Sequence, residues 1–97
     1  MNAKDKLERA NLLLELYGAL LTKKQLEIMK DKYVYDLSFQ EISEHFHISR
    51  SAARDAIRVA TNKLEEYEKA LKLLKKRESV LKLITDKKLK EKILNIL

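Results

Sequence analysis

The 97-residue sequence has no cysteine and no proline, and Gly18 is its only glycine. Without cysteine there is no disulfide, no thiolate metal site and no cysteine nucleophile. His45 and His47 are the only histidines and cannot by themselves make a structural zinc site. A sheet protein needs turn residues at each hairpin, so their scarcity points to helices. No run of about 18 apolar residues occurs, so no membrane insertion is expected. The N-terminus shows no signal-peptide core, which makes a soluble cytoplasmic protein the expectation.

What is present suits a small helical domain. Apolar residues make up 45% and charged residues 37%. Such a chain is read as one domain, 1–97, able to bury roughly 60–70% of its unfolded surface. The net charge of +6 is uneven: residues 65–97 carry ten basic and six acidic groups, against four and three in 37–64. A basic balance favours polyanionic partners without naming one.

Apolar spacing predicts a first helix over Ala3–Tyr17, with Leu7, Ala10, Leu13, Leu14 and Tyr17 on one seam. Gly18 marks a helix end or a close helix contact. Thr22 and Gln25 have capping-box form, so a second helix follows over Lys23–Tyr33, burying Leu26, Met29 and Tyr33. Ser38 and Glu41 repeat the box before a third helix, Phe39–Phe46. Ser49 then caps a long fourth helix from Arg50. In that helix Ile57, Leu64 and Leu71 are seven apart, as are Ala60, Tyr67 and Leu74, a heptad-like seam. It packs either on the first helix or between two chains, and a homodimer is slightly favoured. The basic segment 75–97 forms one helix or two, with Asp86 a candidate cap for the last.

The segment 38–58 meets the demands of a helix-turn-helix. Ser43 is small where the second helix crosses the first. His47 takes the left-handed turn position, which histidine tolerates better than most residues. Ile42, Phe46, Ile48 and Ile57 fill the angle, with small Ala53 beside them. Arg50, Ser51, Arg54, Asp55 and Arg58 form the outer face, the arginines four apart in a row. Laid into a major groove, that helix sets Arg50, Ser51 and Arg54 near base edges and Arg58 near phosphates. The competing reading makes the row a solvated face neutralised by Asp55 and Glu44. The nucleic-acid candidates are therefore Arg50, Ser51, Arg54 and Arg58, with DNA favoured and RNA the alternative.

The stretch "LTKKQLEIMKDKYVYDLSFQEISEHFHISRSAARDAI" resembles the promoter-reading fourth region of bacterial sigma factors. With "LYGALLTKKQ" before it and "KLEEYEKALKLL" after it, the chain more closely resembles the YlxM-type family. Those are small bacterial helix-turn-helix proteins encoded beside components of the signal recognition particle. The resemblance covers roughly Leu14 to Leu74. It implies an all-α, sigma-like helical bundle with a long recognition helix, and a regulatory or accessory role beside the particle. His47 and Ala53 depart from the usual turn glycine and larger aliphatic of the motif.

The remaining residues support other functions poorly. His45 and His47 lie about 200° apart on a helix and do not converge on a metal. Ser38, Ser43 and Ser49 are accounted for by capping and crossing. No phosphate-binding glycine loop or catalytic carboxylate pair occurs, so neither an enzyme nor a cofactor is expected. Tyr17, Tyr33 and Tyr67 fall on apolar seams, where core packing with a wet hydroxyl is expected, while Tyr35 is free to stack on a base. The lysine-rich tail is either a solvated face or an attractor of anionic membrane or structured RNA. The alternative to a nucleic-acid reader is an interaction module whose helical seams dock a targeting-machinery protein or whose basic tail holds its RNA.

Overall fold

Asn2 opens the first helix, its side chain accepting the Asp5 amide at 2.9 Å. From there the computed structural model describes residues 2–84 and 87–96, and every regular element among them is helical. Helix α1 spans Ala3–Tyr17, and a 3-10 turn, Gly18–Leu20, redirects the chain. Helix α2 is Lys23–Tyr33, α3 Phe39–Phe46, α4 Arg50–Leu71, α5 Leu73–Lys82 and α6 Lys87–Ile96. The all-α class and its long recognition helix are as the sequence predicts.

The boundaries follow local chemistry. Both capping boxes form: Thr22 and Gln25 exchange side-chain and amide bonds at 3.1 Å, and Ser38 and Glu41 do the same. Each satisfies two amides that a helix start leaves without partners. Gly18 has an ordinary helical φ of −55°, so its value is space: an added Cβ would meet the Leu26 side chain at 3.2 Å. It serves as both helix end and close contact.

Helix α4 is the hub, packing against α1, α2 and α3, while α5 folds back on α1. Leu13 and Tyr17 of α1, Ile28 and Met29 of α2, and Ile42 of α3 meet Ala53, Ile57, Ala60 and Leu64 of α4 in one core. Each such large side chain contributes about 1.5–3 kcal/mol by leaving water. On α2, Met29 is buried as predicted, but Leu26 and Tyr33 are only half-buried and Ile28 takes the inner place. Leu7 of α1 is exposed, because the first turns of α1 extend past the core.

The heptad-like seam is corrected in two respects. Ile57, Ala60 and Leu64 are buried within this chain, so they are not available to hold a second copy. The helix also does not run on to Leu74: Lys72 adopts a left-handed backbone, φ 55°, and starts a new helix. That leaves Leu71 exposed and carries Leu74 into the core on α5.

The break is sustained by a buried polar network. The Tyr17 hydroxyl donates to Glu68 Oε1 at 2.6 Å and accepts the Leu73 amide at 3.0 Å. Glu68 also accepts the amides of Leu74, 2.9 Å, and Lys75, 3.3 Å. Three consecutive amides at the start of α5 are thus capped by side chains of α1 and α4. A carboxylate there also suits the positive end of the α5 dipole. Burial opposes ionisation of Glu68, but these donors outweigh it and hold its carboxyl below the ordinary value. Burial, then the bond to Glu68, pushes the Tyr17 hydroxyl up. The wet hydroxyl expected of Tyr17 is therefore wrong, since the ring is wholly buried and its oxygen is committed. Tyr67 does reach outward, its hydroxyl 3.4 Å from the Leu20 carbonyl.

Two charged pairs tie α1 to the later helices. Arg9 grips Glu65 through two bonds, Nε at 2.7 Å and Nη2 at 2.8 Å, and this bonding raises the Arg9 pKa. Arg77 of α5 is buried and donates from Nη2 to Glu15 at 3.3 Å, while its Nε finds no partner among the described residues. The expected cap Asp86 lies outside the described residues.

Candidate nucleic-acid interface

The geometry of the α3–α4 pair starts from Ser43, which is buried and turns its hydroxyl back onto the Gln40 carbonyl at 2.7 Å. A small, internally satisfied residue there lets α4 cross closely. Ile42 and Ala53 are fully buried and Ile57 nearly so, filling the angle as predicted, with Phe46 and Ile48 half-buried at its edge. His47 takes the left-handed conformation, φ 54° and ψ 44°. Around it the Ile48 amide bonds Ser43 O at 3.0 Å and the His47 amide bonds Glu44 O at 3.4 Å. This is the paired closure of a Schellman motif, with histidine in the place glycine usually takes. Ser49 then caps α4, accepting the Ala52 amide at 3.0 Å.

Arg50, Ser51, Arg54, Asp55 and Arg58 are all exposed on α4, so the structure brings the four predicted site residues onto one helix surface. Their surroundings differ. Arg58 is bound to Asp55 at 2.6 Å, and both side chains are well exposed. The Arg54 guanidinium lies 5.0 Å from the centroid of the Phe39 ring, and Lys32 Nζ lies 4.5 Å from the same centroid. Arg50 and Ser51, in the first turn of α4, have no side-chain partner among the described residues. Glu44 forms no ion pair with the row among the described residues; its carboxylate accepts from Gln40 Nε2 at 2.8 Å.

Lys32 and Phe39 were missed as members of this surface. Nothing local signals that a lysine of α2 and an arginine of α4 will both meet the Phe39 ring. The ring takes a cation-π contact from each, worth about 0.5–1 kcal/mol at exposed sites. Arg54 and Arg58 also line a cleft of about 430 Å³ between α1, α2 and α4, with Lys6 and Arg9 on its α1 side. Positive charge therefore extends from the α4 face toward the first helix.

His45 is exposed, as expected, but it is not idle. Its Nδ1 lies 2.6 Å from Oδ2 of Asp31, a buried carboxylate of α2. The pair ties α2 to α3 beneath the turn. Among the described residues no three histidine or acidic side chains group as a metal site.

Comparison with known proteins extends this geometry to a whole chain. Residues 4–96 match the family described as "Putative helix-turn-helix protein, YlxM / p13 like". The chain belongs to this family, UPF0122. A UPF0122 protein of Malacoplasma penetrans is 38% identical over 91 residues, covering 91% of this chain and 85% of the relative. One of Caldanaerobacter subterraneus is 48% identical over 80 residues, 82% and 67% of the two chains. A third, of Shouchella clausii, is 45% identical over 75 residues, 77% and 69% respectively. The UPF0122 match runs from α1 to α6, so the helix-turn-helix sits within a shared helical frame rather than as an isolated motif. No helix among the described residues is long and apolar enough to cross a membrane.

Proposed function

We propose that this UPF0122 protein binds nucleic acid through the outer face of the α3–α4 pair, with α4 as the recognition helix and duplex DNA as the favoured target. The observation that carries the reading is the first turn of α4. Arg50 and Ser51 stand there exposed and unpartnered, on a capped helix start whose dipole favours phosphate. Arg50 and Arg54 offer planar donor pairs suited to guanine edges, Ser51 a small hydrogen-bonding group, and Arg58 a phosphate contact once freed from Asp55. Lys32, which shares the Phe39 ring with Arg54, adds charge near the same surface.

The resemblance of the sequence to YlxM-type proteins supports a further reading, a regulatory or accessory role beside the signal recognition particle, where structured RNA is the competing ligand. A docking module built on the α4 seam is the weaker reading, because Ile57, Ala60 and Leu64 are already used within the chain.

The test is duplex binding at low salt, comparing wild type with Arg50→Ala/Arg54→Ala. Loss of two base-edge guanidiniums should weaken binding by about 1–3 kcal/mol each and relax the preference for guanine, and loss of their charge should lower the salt slope. Unchanged affinity and slope would refute the assignment. Running the same pair against a structured RNA separates the targets, since A-form RNA is read by shape and a recognition helix cannot enter its deep groove.

A further inference from the structure

No residue of α6 is buried, yet its pattern is that of a helix with a face to cover. Leu89, Ile93 and Ile96 are four and three residues apart and share one side. Of these Ile93 is half-buried; the rest of the helix carries Lys87, Lys88, Lys90 and Lys92, Glu91 as the single acid, Asn95 and one further exposed apolar residue, Leu94. Ile96 is 83% exposed, and Leu83, which follows α5 and adjoins Lys82, is 85% exposed. Apolar surface of this kind gains free energy only when something takes it out of water.

The charge decides among the occupants. A second copy of the chain would bring two lysine-rich helices together, in a region where basic residues already outnumber acidic ones by ten to six. RNA would satisfy the lysines but offers Ile93 and Ile96 no apolar phase. A bilayer with anionic headgroups meets both needs, with an acyl boundary for the isoleucines and phosphates for the lysines. Ten residues make a helix about 15 Å long, half the depth of a membrane core, so it can only lie in the plane of the surface.

We propose that α6 is an interfacial helix that docks the protein on anionic lipid surfaces, with Leu89, Ile93 and Ile96 toward the acyl chains and the lysines among the headgroups. Binding is weak, reversible and salt-sensitive, as expected of one short helix. The site shares no residue with the α3–α4 surface, so its fate is independent of the nucleic-acid reading.

The experiment is flotation of the full chain with vesicles of zwitterionic lipid carrying about 30% anionic phosphatidylglycerol, against zwitterionic vesicles alone. Two variants are compared, Ile93→Gln/Ile96→Gln and Lys87→Gln/Lys90→Gln/Lys92→Gln. Because α6 has no buried residue, both keep the α1–α5 core, which far-UV circular dichroism verifies. Wild type should float only with the anionic vesicles, and each variant should bind them about tenfold or more weakly. Failure of wild type to float, or equal flotation of either variant, overturns the proposal. So does a dimer in sedimentation that dissociates in Ile93→Gln/Ile96→Gln, because the face would then belong to a second copy. Retention of structured RNA that falls with the isoleucine pair would likewise assign the face elsewhere.

Discussion

Replacing Glu68 by glutamine tests whether the start of α5 is held by the buried network. The carboxylate accepts three hydrogen bonds, from the Tyr17 hydroxyl and from the Leu74 and Lys75 amides. Bonds to a charged acceptor contribute about 1.5–3 kcal/mol each and neutral ones about 0.5–1.5, so each converted bond loses about 1 kcal/mol. The glutamine oxygen can keep some of the three, but its amide group turns a donor toward other donors. Loss of the favourable charge at the α5 N-terminus adds a few tenths more, about 0.3–1 kcal/mol. Glu68→Gln should therefore cost about 3–4 kcal/mol, a large share of the 5–15 kcal/mol that stabilises an ordinary domain.

Urea unfolding followed by far-UV circular dichroism at neutral pH measures that loss. Tyr17→Phe should cost about 1.5–2.5 kcal/mol, since it strands the Leu73 amide and removes a donor from Glu68. The double variant should lose less than the sum by about 1 kcal/mol, because the two side chains share one bond. The pH dependence carries a definite sign. The Glu68 carboxyl is held below its ordinary 4.5, so its contribution is present above that pH and fades as pH falls through the lower folded value. Wild type should lose stability there more steeply than Glu68→Gln. If Glu68→Gln stays within about 0.5 kcal/mol of wild type at neutral pH, or the pair is additive, the network does not hold α5.

Two further perturbations address the turn and the charge row. Lys72→Gly should stabilise the protein by about 0.5–1 kcal/mol in the same unfolding assay, because glycine takes the left-handed φ of 55° without the strain a side chain adds. A destabilised variant would mean that the lysine side chain itself supports the break. Asp55→Asn should raise duplex affinity by about threefold or more at low salt, as it removes the acid that holds Arg58. Its effect on stability should stay within about 0.5 kcal/mol, since both partners are exposed, and a loss of affinity would place Arg58 outside the interface.

The helix boundaries were legible because their causes are local. Thr22 with Gln25, Ser38 with Glu41, and Ser49 with the Ala52 amide all act across three residues, and sequence shows such spacings directly. The left-handed His47 was legible from its place in the motif, and so was the exposure of Arg50, Ser51, Arg54 and Arg58. The missing parts are pairs that only a folded chain brings together. Tyr17 and Glu68 are 51 residues apart, Arg9 and Glu65 are 56 apart, and Asp31 and His45 are 14 apart. Periodicity also extended the fourth helix too far. A lysine in a left-handed turn gives no local signal, and the network that fixes it joins Tyr17 of α1 to Glu68 of α4. Arg54 over Phe39 was hidden for a similar reason, since the two lie on different helices and no local spacing links them.

These pairs divide α4 into two regions with different duties. Its first nine residues, Arg50 to Arg58, carry the exposed row, whereas Leu64, Glu65 and Glu68 are held by α1 and by the start of α5. A helix of 22 residues is about 33 Å long, so a small tilt at one end becomes a larger displacement at the other. The bidentate Arg9–Glu65 pair resists rotation of α4 against α1 better than a single bond would, because both carboxylate oxygens are engaged in one plane. At the other end the α3 crossing is close, with Ser43 and Ala53 both buried and both small. The direction of the arginine row is thus set by contacts at both ends of α4, and none of those contacts uses the row itself. Substitutions in the arginine row should change binding without changing the fold, while substitutions at Glu65 or Glu68 act on the row only through the stability and orientation of the helix that carries it.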